Sequence, residues 1–357
     1  MSSIMGNKLK VSVFGQSHGE AVGVVVDGLP AGMKIDLEQL QAFLNRRAPG
    51  RTVLSTPRRE EDKPRILSGL YEGYTCGAPL AAVIENGDIR SEDYVAMAAL
   101  PRPSHADYSA RMRYGDHYDP RGGGHFSGRL TAPLCIAGGI ALQFLEKRGV
   151  FLGAHLQAVG TVWDRGYDSV NLTRQELHLP ATRSLPVLEE EAGKAMEQEI
   201  SKAAAQRDSV GGIVECGVIG LSAGIGDPMF DGIESRLASA LFGIPAVRGV
   251  EFGTGFGAAG MRGSEHNDPY VLRDGKVRTA TNHHGGVLGG ITTGMPLIFR
   301  VAYKPTPSIG REQQTVNLDT MTQAPLCIQG RHDPCVALRA VPCVEAVAAL
   351  VILDFLL

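Results

Sequence analysis

The sequence lacks the cysteine patterns of disulfide-stapled and zinc-binding proteins. It has six cysteines but no CxxC pair, and no His–Cys spacing fits a zinc site. The first residues, Met1-Ser-Ser-Ile4, show neither the basic region nor the apolar run of a secretory signal. These absences predict no metal site and favour a reduced, cytoplasmic setting over a disulfide scaffold.

The most apolar run of the sequence, residues 346–357, is too short to span a bilayer and is interrupted by Asp354. We therefore expect a buried core helix there, with Pro342 in its first turn. The formal net charge is -3, without the broad basic excess of nucleic-acid-binding proteins. Membrane and nucleic-acid partners are therefore not expected.

Common nucleotide and hydrolase motifs are missing as well. Neither GxxxxGK[ST] nor GxSxG occurs, so the chain has no common phosphate loop and no serine-hydrolase elbow. Gly255-Phe-Gly-Ala-Ala-Gly260 matches GxGxxG, but no strand–turn–helix pattern frames it. A dinucleotide-binding Rossmann site is therefore not predicted.

What the sequence does contain is an unusual number of turns between strands and helices. It has 45 glycines and 20 prolines in 357 residues, without a repeating period. Residues 8–14 and 21–27 read as paired strands, and Asp36 reads as the N-cap of a helix. Length alone favours two domains, but the order of elements argues for an α+β fold with antiparallel sheets and one compact domain over residues 1–357.

Histidines and arginines stand in polar, glycine-rich segments. His18, His105 and His332 lie in such segments, and arginines cluster at 46–59, 111–129 and 331–339. Imidazoles exchange protons near neutral pH, and guanidinium groups fork onto carboxylates and phosphates. Loop histidines are more often structural, however, and clustered arginines usually form a solvated face. The residues alone indicate binding of a small anion.

Eight sequence blocks, in family order, resemble chorismate synthase over residues 8–354. The blocks are Phe14-Gly-Gln-Ser-His-Gly19, Val26-Asp-Gly-Leu-Pro-Ala-Gly32, Arg102-Pro-Ser-His-Ala-Asp107, Asp208-Ser-Val-Gly-Gly212, Ile244-Pro-Ala-Val-Arg-Gly249, Gly286-Val-Leu-Gly-Gly290, Lys304-Pro-Thr-Pro-Ser-Ile309 and Gly330-Arg-His-Asp-Pro-Cys335. The resemblance implies a lyase of the shikimate pathway. It would eliminate phosphate from 5-enolpyruvylshikimate 3-phosphate to give chorismate, with reduced FMN (FMNH2) as cofactor.

The resemblance also implies a fold and an assembly. The expected fold is a chorismate-synthase-like sandwich of long helices between antiparallel β-sheets, and the expected assembly is a homotetramer. Since no extra oxidoreductase domain is visible, a separate flavin reductase is expected to supply the reduced cofactor.

Roles carry over to the positions that match the family's motifs. His18 is expected to protonate the departing phosphate, and His105 to donate a proton to the reduced flavin. Asp333 is expected to assist proton removal from the substrate ring by accepting a proton passed through flavin N5, and Ser17 and Ser127 are expected to support proton relay.

Binding roles are implied in the same way. The matching FMN positions are Ser127, Ala246, Gly289, Lys304, Pro305, Thr306, Pro307, Ser308 and Arg331. The candidates for the substrate's phosphate and carboxylates are Arg47, Arg51 and Arg129.

Some positions depart from the family's pattern. Gln16 stands where the family usually has Glu, Ser104 where it has Gly, and His125-Phe-Ser-Gly-Arg-Leu-Thr131 replaces an RSSARET block. These changes affect expected flavin contacts at 125 and 126. Two other hypotheses therefore stay open: a flavin- or anion-binding protein of this fold without catalysis, and, less favoured, a nucleic-acid-binding module.

Overall fold

A five-stranded antiparallel sheet forms one layer of the protein. The computed structural model describes residues 3–50, 54, 60–87, 99–328 and 332–357. The strand order is β1-β2-β3-β7-β4. The strands are β1 (Ile4–Met5), β2 (Lys10–Gly15), β3 (Ala21–Asp27), β4 (Arg65–Ser68) and β7 (Leu80–Glu85), with a small hairpin of β5 (Leu70–Tyr71) and β6 (Tyr74–Thr75) between them in the chain. The predicted first strand pair is confirmed, with Lys10 opposite Asp27.

A second five-stranded antiparallel sheet forms the opposite layer. Its order is β11-β16-β10-β8-β9. The strands are β8 (Phe151–Val159), β9 (Val162–Trp163), β10 (Gly212–Ile219), β11 (Val247–Phe252) and β16 (Leu297–Tyr303). Its central strands bury β-branched residues and a phenylalanine, among them Val214 and Phe299, so one face of this sheet is fully covered.

Two long helices lie between the sheets. The helices are α1 (Leu37–Arg47), α2 (Asp107–Tyr114), α3 (Thr131–Lys147), α4 (Arg174–His178), α5 (Glu190–Ala205), α6 (Ile233–Leu241), α7 (Gly263–His266) and α8 (Ala337–Leu356). Helix α3 packs on β3 and β7, α8 packs on β8 and β10, and the two helices pack on each other. This arrangement confirms the expected α+β sandwich.

The two central helices approach each other unusually closely. A Cβ added at Gly138 of α3 would lie 2.3 Å from the Cα of Ala346 in α8. Glycine inside a helix costs about 1 kcal/mol relative to alanine, and the tight packing that it permits offsets this cost. One hydrophobic cluster joins both helices to both sheets. The organisation of residues 1–357 as one domain stays a prediction.

Helix α8 is the core helix expected near the end of the sequence. Pro342 lies in its second turn, not its first, so that detail of the prediction is wrong. The carboxylate of Asp354 accepts hydrogen bonds from the backbone N–H groups of Asn7, Lys8 and Leu9 at 2.8, 2.7 and 2.6 Å, and it pairs with Arg236. The charge inside the apolar run therefore anchors the segment before β2.

A second strongly apolar stretch precedes and forms helix α3. Among the described residues, Gly128–Lys147 is long and apolar enough to cross a membrane. In the structure 83% of that window is buried inside the protein, which identifies it as a core helix.

Two exposed hairpins were not predicted. Strands β12 (Tyr270–Arg273) and β13 (Lys276–Thr279) form the first hairpin. Strands β17 (Glu312–Asn317) and β18 (Thr322–Cys327) follow β16 and form the second. Their faces are largely solvated, so no clear apolar alternation marks them. The Asp274-Gly275 turn was a usable signal for the first hairpin. A third small hairpin joins β14 (Val287–Leu288) to β15 (Ile291–Thr292).

Candidate active site

A cavity of about 220 Å³ opens where loops from both layers meet the first turns of α3 and α8. Several of the predicted catalytic and binding side chains line it together. The lining residues with polar or catalytic potential are Arg47, Glu60, Arg102, His105, Ser127, Arg129, Lys304, Thr306, Ser308, His332, Asp333 and Arg339. His105 and Asp333, which are 228 residues apart in the chain, thus share one cavity.

His105 is held by a carboxylate and a guanidinium from its own segment. Its Nδ1 lies 2.5 Å from Asp107 Oδ1 and 3.0 Å from Arg102 Nη2. Arg102 also donates to Asp107 from Nε at 2.7 Å. Burial raises the pKa of Asp107, but hydrogen bonds from Arg102 and His105 outweigh it and hold that pKa well below its usual value. A carboxylate at Nδ1 favours the tautomer that carries its proton on Nδ1, and Nε2 is the ring nitrogen that does not contact Asp107.

A three-glycine turn, Gly122-Gly-Gly124, separates His105 from His18. A Cβ added at Gly122 would lie 2.7 Å from Ser17 Oγ and 2.8 Å from His18 Nε2, and one at Gly123 would lie 3.1 Å from His105 Nε2. All three glycines have positive φ, a conformation that other residues rarely adopt. Glycine is therefore required here both for the backbone and for the imidazoles that contact it.

Asp333 is oriented by an arginine in the first turn of α8. Arg339 Nη1 donates to Asp333 Oδ2 at 2.7 Å, and Arg339 Nε donates to the backbone oxygen of Arg47 at 2.9 Å. One guanidinium thus joins the start of α8 to the end of α1, with the carboxylate between them at the cavity wall.

The two described substrate arginines are paired with the protein's own carboxylates. Both Arg47 and Arg129 form ion pairs with the buried Asp62, and Arg129 Nη1 lies 2.8 Å from Glu60 Oε2. Burial raises the pKa of Asp62, but the two guanidinium groups more than compensate and hold it below its usual value. Arg47 also donates from Nε to Thr131 Oγ1 at 3.1 Å. An incoming anion would therefore exchange with carboxylates already on these cations.

The segment after β16 supplies a lysine and hydroxyl groups. Lys304 Nζ donates to the backbone oxygen of Ser104, and its backbone N–H donates to Ala246 O at 3.0 Å. Burial and the nearby charge of Arg248 hold the pKa of Lys304 below its ordinary value. Because Lys304 lines the cavity, a phosphate bound beside it would offset this repulsion between the two cations.

The chemistry of the cavity wall fits a flavin nucleotide. The lining includes apolar residues, which are Phe126, Ile244, Pro245, Ala246 and Val336. It also includes guanidinium groups, Lys304 and hydroxyl groups. A flat aromatic ring needs the apolar residues, and a phosphate needs the cations and hydroxyl groups.

Most described binding positions lie in this cavity, but not all. Ser127, Ala246, Lys304, Thr306, Pro307 and Ser308 line it, and Pro305 lies within the same segment without lining it. Ser17 and His18 are buried behind Gly122. Gly289 is in the exposed turn between β14 and β15, outside the cavity lining. Arg51 and Arg331 lie outside the described residues.

The departures from the family pattern have local explanations. Ser104 has φ +60°, so the position demands the left-handed backbone for which glycine is usual. His125 Nε2 lies 2.8 Å from Ser3 Oγ and its Nδ1 2.8 Å from Gly15 O, so this side chain holds the N-terminal segment. Phe126 lines the cavity and adds apolar surface to it.

Sequence reasoning missed several residues of the site. Asp107 stands inside a quoted block, two residues after His105, and that spacing was a usable signal. Glu60, Asp62 and Cys343 gave no signal, because a carboxylate or thiol distant in sequence cannot be assigned to a site without the fold. Among the described residues, no group of three or more histidine, cysteine or acidic side chains could hold a metal ion.

A second histidine–carboxylate cluster lies away from the cavity, in the second sheet. His155 Nε2 lies 3.0 Å from Glu215 Oε2, and its Nδ1 lies 3.5 Å from Asp164 Oδ2. The imidazole is completely buried. None of the three residues lines the cavity described above.

Comparisons with known proteins identify the family of this chain. Residues 9–357 match the chorismate synthase family. The chain is 50% identical to the chorismate synthase of Pyrococcus abyssi, over 99% of this chain and 97% of that protein. It is 45% identical to that of Lancefieldella parvula, over 100% of this chain and 96% of that protein.

A solved structure titled "Crystal Structure of Chorismate Synthase" has the same fold. Its TM-score is 0.76 at 25% sequence identity, and the match covers 99% of this chain and 92% of that one. Together with the match of residues 9–357 to the family and the similar relatives, this similarity establishes that the chain belongs to the chorismate synthase family.

Proposed function

We propose that this protein is a carbon–oxygen lyase that converts 5-enolpyruvylshikimate 3-phosphate to chorismate by anti-1,4-elimination of phosphate, with reduced FMN as cofactor. The observation that carries the proposal is the single cavity lined by an imidazole, a carboxylate and several cations beside an apolar wall. Acid–base groups serve the proton movements, and the cations serve an anionic substrate and leaving group.

Proton handling falls to three side chains. His105, with Nδ1 on Asp107, donates a proton from Nε2 into the cavity when the imidazole is in its charged form, which carries a proton on both nitrogens. Asp333, oriented by Arg339, accepts the proton that leaves the substrate ring. His18 serves as the acid for the departing phosphate from behind Gly122, which both lines the cavity and contacts His18. Ser17 and Ser127 support proton relay, because Ser17 lies beside His18 and Ser127 lines the cavity.

Anion binding falls to the arginines of α1 and α3. Arg47 and Arg129 bind the substrate's phosphate and carboxylates after releasing Glu60 and Asp62. Because Asp62 and Glu60 pair with these two arginines before an anion binds, the buried charges of the arginines are compensated within the protein. Arg51 belongs to the same proposed set by its sequence position.

Cofactor binding falls to the turn before β11 and the segment after β16. Lys304, Thr306 and Ser308 bind the FMN phosphate, and Ala246 and its neighbours contact the ring. Gly289, Pro305, Pro307 and Arg331 complete the proposed set from the sequence. When bound, reduced FMN supplies electron density to the breaking C–O bond and recovers it afterwards.

The setting of the reaction is also proposed. A separate flavin reductase supplies the reduced cofactor, and the protein acts in the cytoplasm as a homotetramer of single-domain subunits. The absence of a CxxC motif in the sequence supports a cytoplasmic enzyme. Its slight negative net charge supports an enzyme that does not bind nucleic acid.

One assay tests the proposal. Phosphate release from 5-enolpyruvylshikimate 3-phosphate is followed under anaerobic conditions, with and without chemically reduced FMN. We expect turnover only with the reduced flavin, and chorismate as the product. Flavin binding without phosphate release would favour the alternative of a binding protein that has lost catalysis. Absence of both would exclude the two functions together.

A further inference from the structure

Two buried thiols meet at the wall of the cavity. Cys135 of α3 and Cys343 of α8 have their sulfur atoms 3.8 Å apart, although 208 residues separate them in the chain. Cys343 lines the cavity, whereas Cys135 lies behind it and is fully buried. The pair is a free dithiol in the structure.

The helix packing explains why the sulfurs meet. Cys135 stands three residues before Gly138, and Cys343 stands three residues before Ala346. Residues three apart lie on the same face of a helix. The close approach at Gly138 and Ala346 therefore brings the thiols of the neighbouring turns together.

The surroundings of the two thiols differ in charge. The thiol of Cys135 donates toward Cys343, and this hydrogen bond, with Arg47 and Arg339 nearby, holds the pKa of Cys343 below its ordinary value despite burial. Burial raises the pKa of Cys135 well above its ordinary value. Because the thiolate is the nucleophile in thiol chemistry, Cys343 is the reactive partner.

We propose that Cys343 and Cys135 form a peroxide-sensitive dithiol in the wall of the cavity. The Cys343 thiolate attacks a hydroperoxide, the O–O bond breaks, and Cys343 becomes a sulfenic acid while hydroxide or alkoxide leaves. The Cys135 thiol then attacks the Cys343 sulfur, the S–O bond breaks, and water leaves as the disulfide forms. One peroxide is reduced, and two thiols are oxidised.

The geometry needs only a small movement. A disulfide has an S–S length near 2.05 Å, so the two sulfurs must together close a gap of about 1.8 Å. Pro342, next to Cys343, donates no backbone hydrogen bond, which loosens α8 at this point. Oxidation would remove the thiolate charge beside Arg47 and Arg339, two cations of the cavity.

The test uses the full-length protein with hydrogen peroxide as the probe, and it does not depend on the proposed function. Cys76 and Cys327 are exposed and are replaced by serine to prevent disulfides between molecules. After limited peroxide treatment, intact mass and peptide mapping locate the oxidised residues. We expect loss of two hydrogen masses, one cross-linked peptide pair containing Cys135 and Cys343, and reversal by a reducing agent.

Cys335 and Cys216 serve as internal controls. Both are buried, and burial raises the pKa of Cys335 to about 11. We expect Cys343 to react at least about tenfold faster than either control thiol. In a Cys135→Ala variant, the sulfenic acid on Cys343 has no resolving thiol and is trapped by dimedone.

Two results would overturn the proposal. The first is equal reactivity of Cys343 and Cys335 in the folded protein. The second is a cross-link that joins Cys343 to any cysteine other than Cys135. The protein in which only Cys76 and Cys327 are replaced by serine keeps Cys135 and Cys343. Measurements on that protein decide both points even if the Cys135→Ala variant does not fold.

Discussion

Two histidine–carboxylate clusters in this molecule use the same residue types for different purposes. His105 contacts Asp107 through Nδ1 and lines the cavity, with 15% of its side chain exposed. His155 contacts carboxylates through both ring nitrogens and is fully buried. A histidine beside a carboxylate thus becomes a candidate for catalysis only when one nitrogen faces a space that a ligand can enter.

The buried cluster instead connects loops to the second sheet. Asp164 accepts hydrogen bonds from the backbone of Leu188 at 2.5 Å and Glu189 at 3.1 Å, and Glu215 accepts one from the backbone of Tyr167 at 2.7 Å. Burial lowers the pKa of His155, but hydrogen bonds with Asp164 and Glu215 more than offset this, so the net pKa is raised. This cluster therefore contributes to stability.

The largest expected effect comes from His105→Ala. Turnover should fall by roughly 10²-fold or more, the usual loss for a positioned acid or base, with an unchanged melting temperature. The matched variant is His155→Ala, which removes the imidazole between two buried carboxylates and should cost about 3 kcal/mol of stability. Its turnover per folded molecule should stay near that of the wild type. Wild-type turnover by His105→Ala would remove this residue from the mechanism.

Lys304→Ala tests whether the cavity lysine binds the flavin phosphate. The dissociation constant of reduced FMN should rise about tenfold through loss of a charged hydrogen bond, while turnover at saturating flavin changes less. Lys276→Ala on the exposed β13 hairpin is the control of equal charge change. Anaerobic flavin titration measures both, and identical isotherms for Lys304→Ala and Lys276→Ala would contradict the assignment.

Asp107→Asn tests whether the carboxylate positions His105. We expect turnover to fall by about tenfold, because the amide no longer fixes the tautomer of the imidazole. The pH profile of turnover should also shift, which a purely structural role would not produce. Asp164→Asn is the counterpart in the buried cluster and should change stability with little effect on the profile. An unchanged profile for Asp107→Asn would reject the positioning role.

The smallest effect concerns the pH dependence of stability. The raised pKa of His155 means that its contribution is fully present below its unfolded value near 6.5 and is lost as pH rises through the folded value. The difference in unfolding free energy between wild type and His155→Gln should shrink as pH is raised from below about 6.5 through the higher pKa of the folded protein. Urea titrations measure it. If the difference in unfolding free energy grows with pH, the pKa of His155 is not raised in the folded protein.

Much of the fold was predictable because local chemistry and global packing agree. Asp36 caps α1 by accepting from the backbone of Glu38 and Gln39, as its position before an amphipathic run indicated. The polar hairpins were missed because strands without a buried face carry little periodic signal. Motif blocks in the sequence singled out His105 and Asp333, and the structure places both at one cavity, while their catalytic roles stay predictions.

The rest of the site depends on contacts between distant parts of the chain. The pairing of Asp62 with Arg47 and Arg129 joins residues from three segments, and no local pattern encodes it. The separation of His18 from the cavity by Gly122 is likewise a matter of folded geometry. Sequence indicated which residues take part, and the structure shows what each one contacts.

The carboxylate of Asp354 has a consequence for how the molecule is made. It holds the backbone of Asn7, Lys8 and Leu9, which lead into β2 of the first sheet. A polypeptide still emerging from the ribosome lacks this clamp until almost all of α8 has been synthesised. Because 345 residues separate Leu9 from Asp354, the segment that leads into β2 gains this anchor only after α8 has been synthesised.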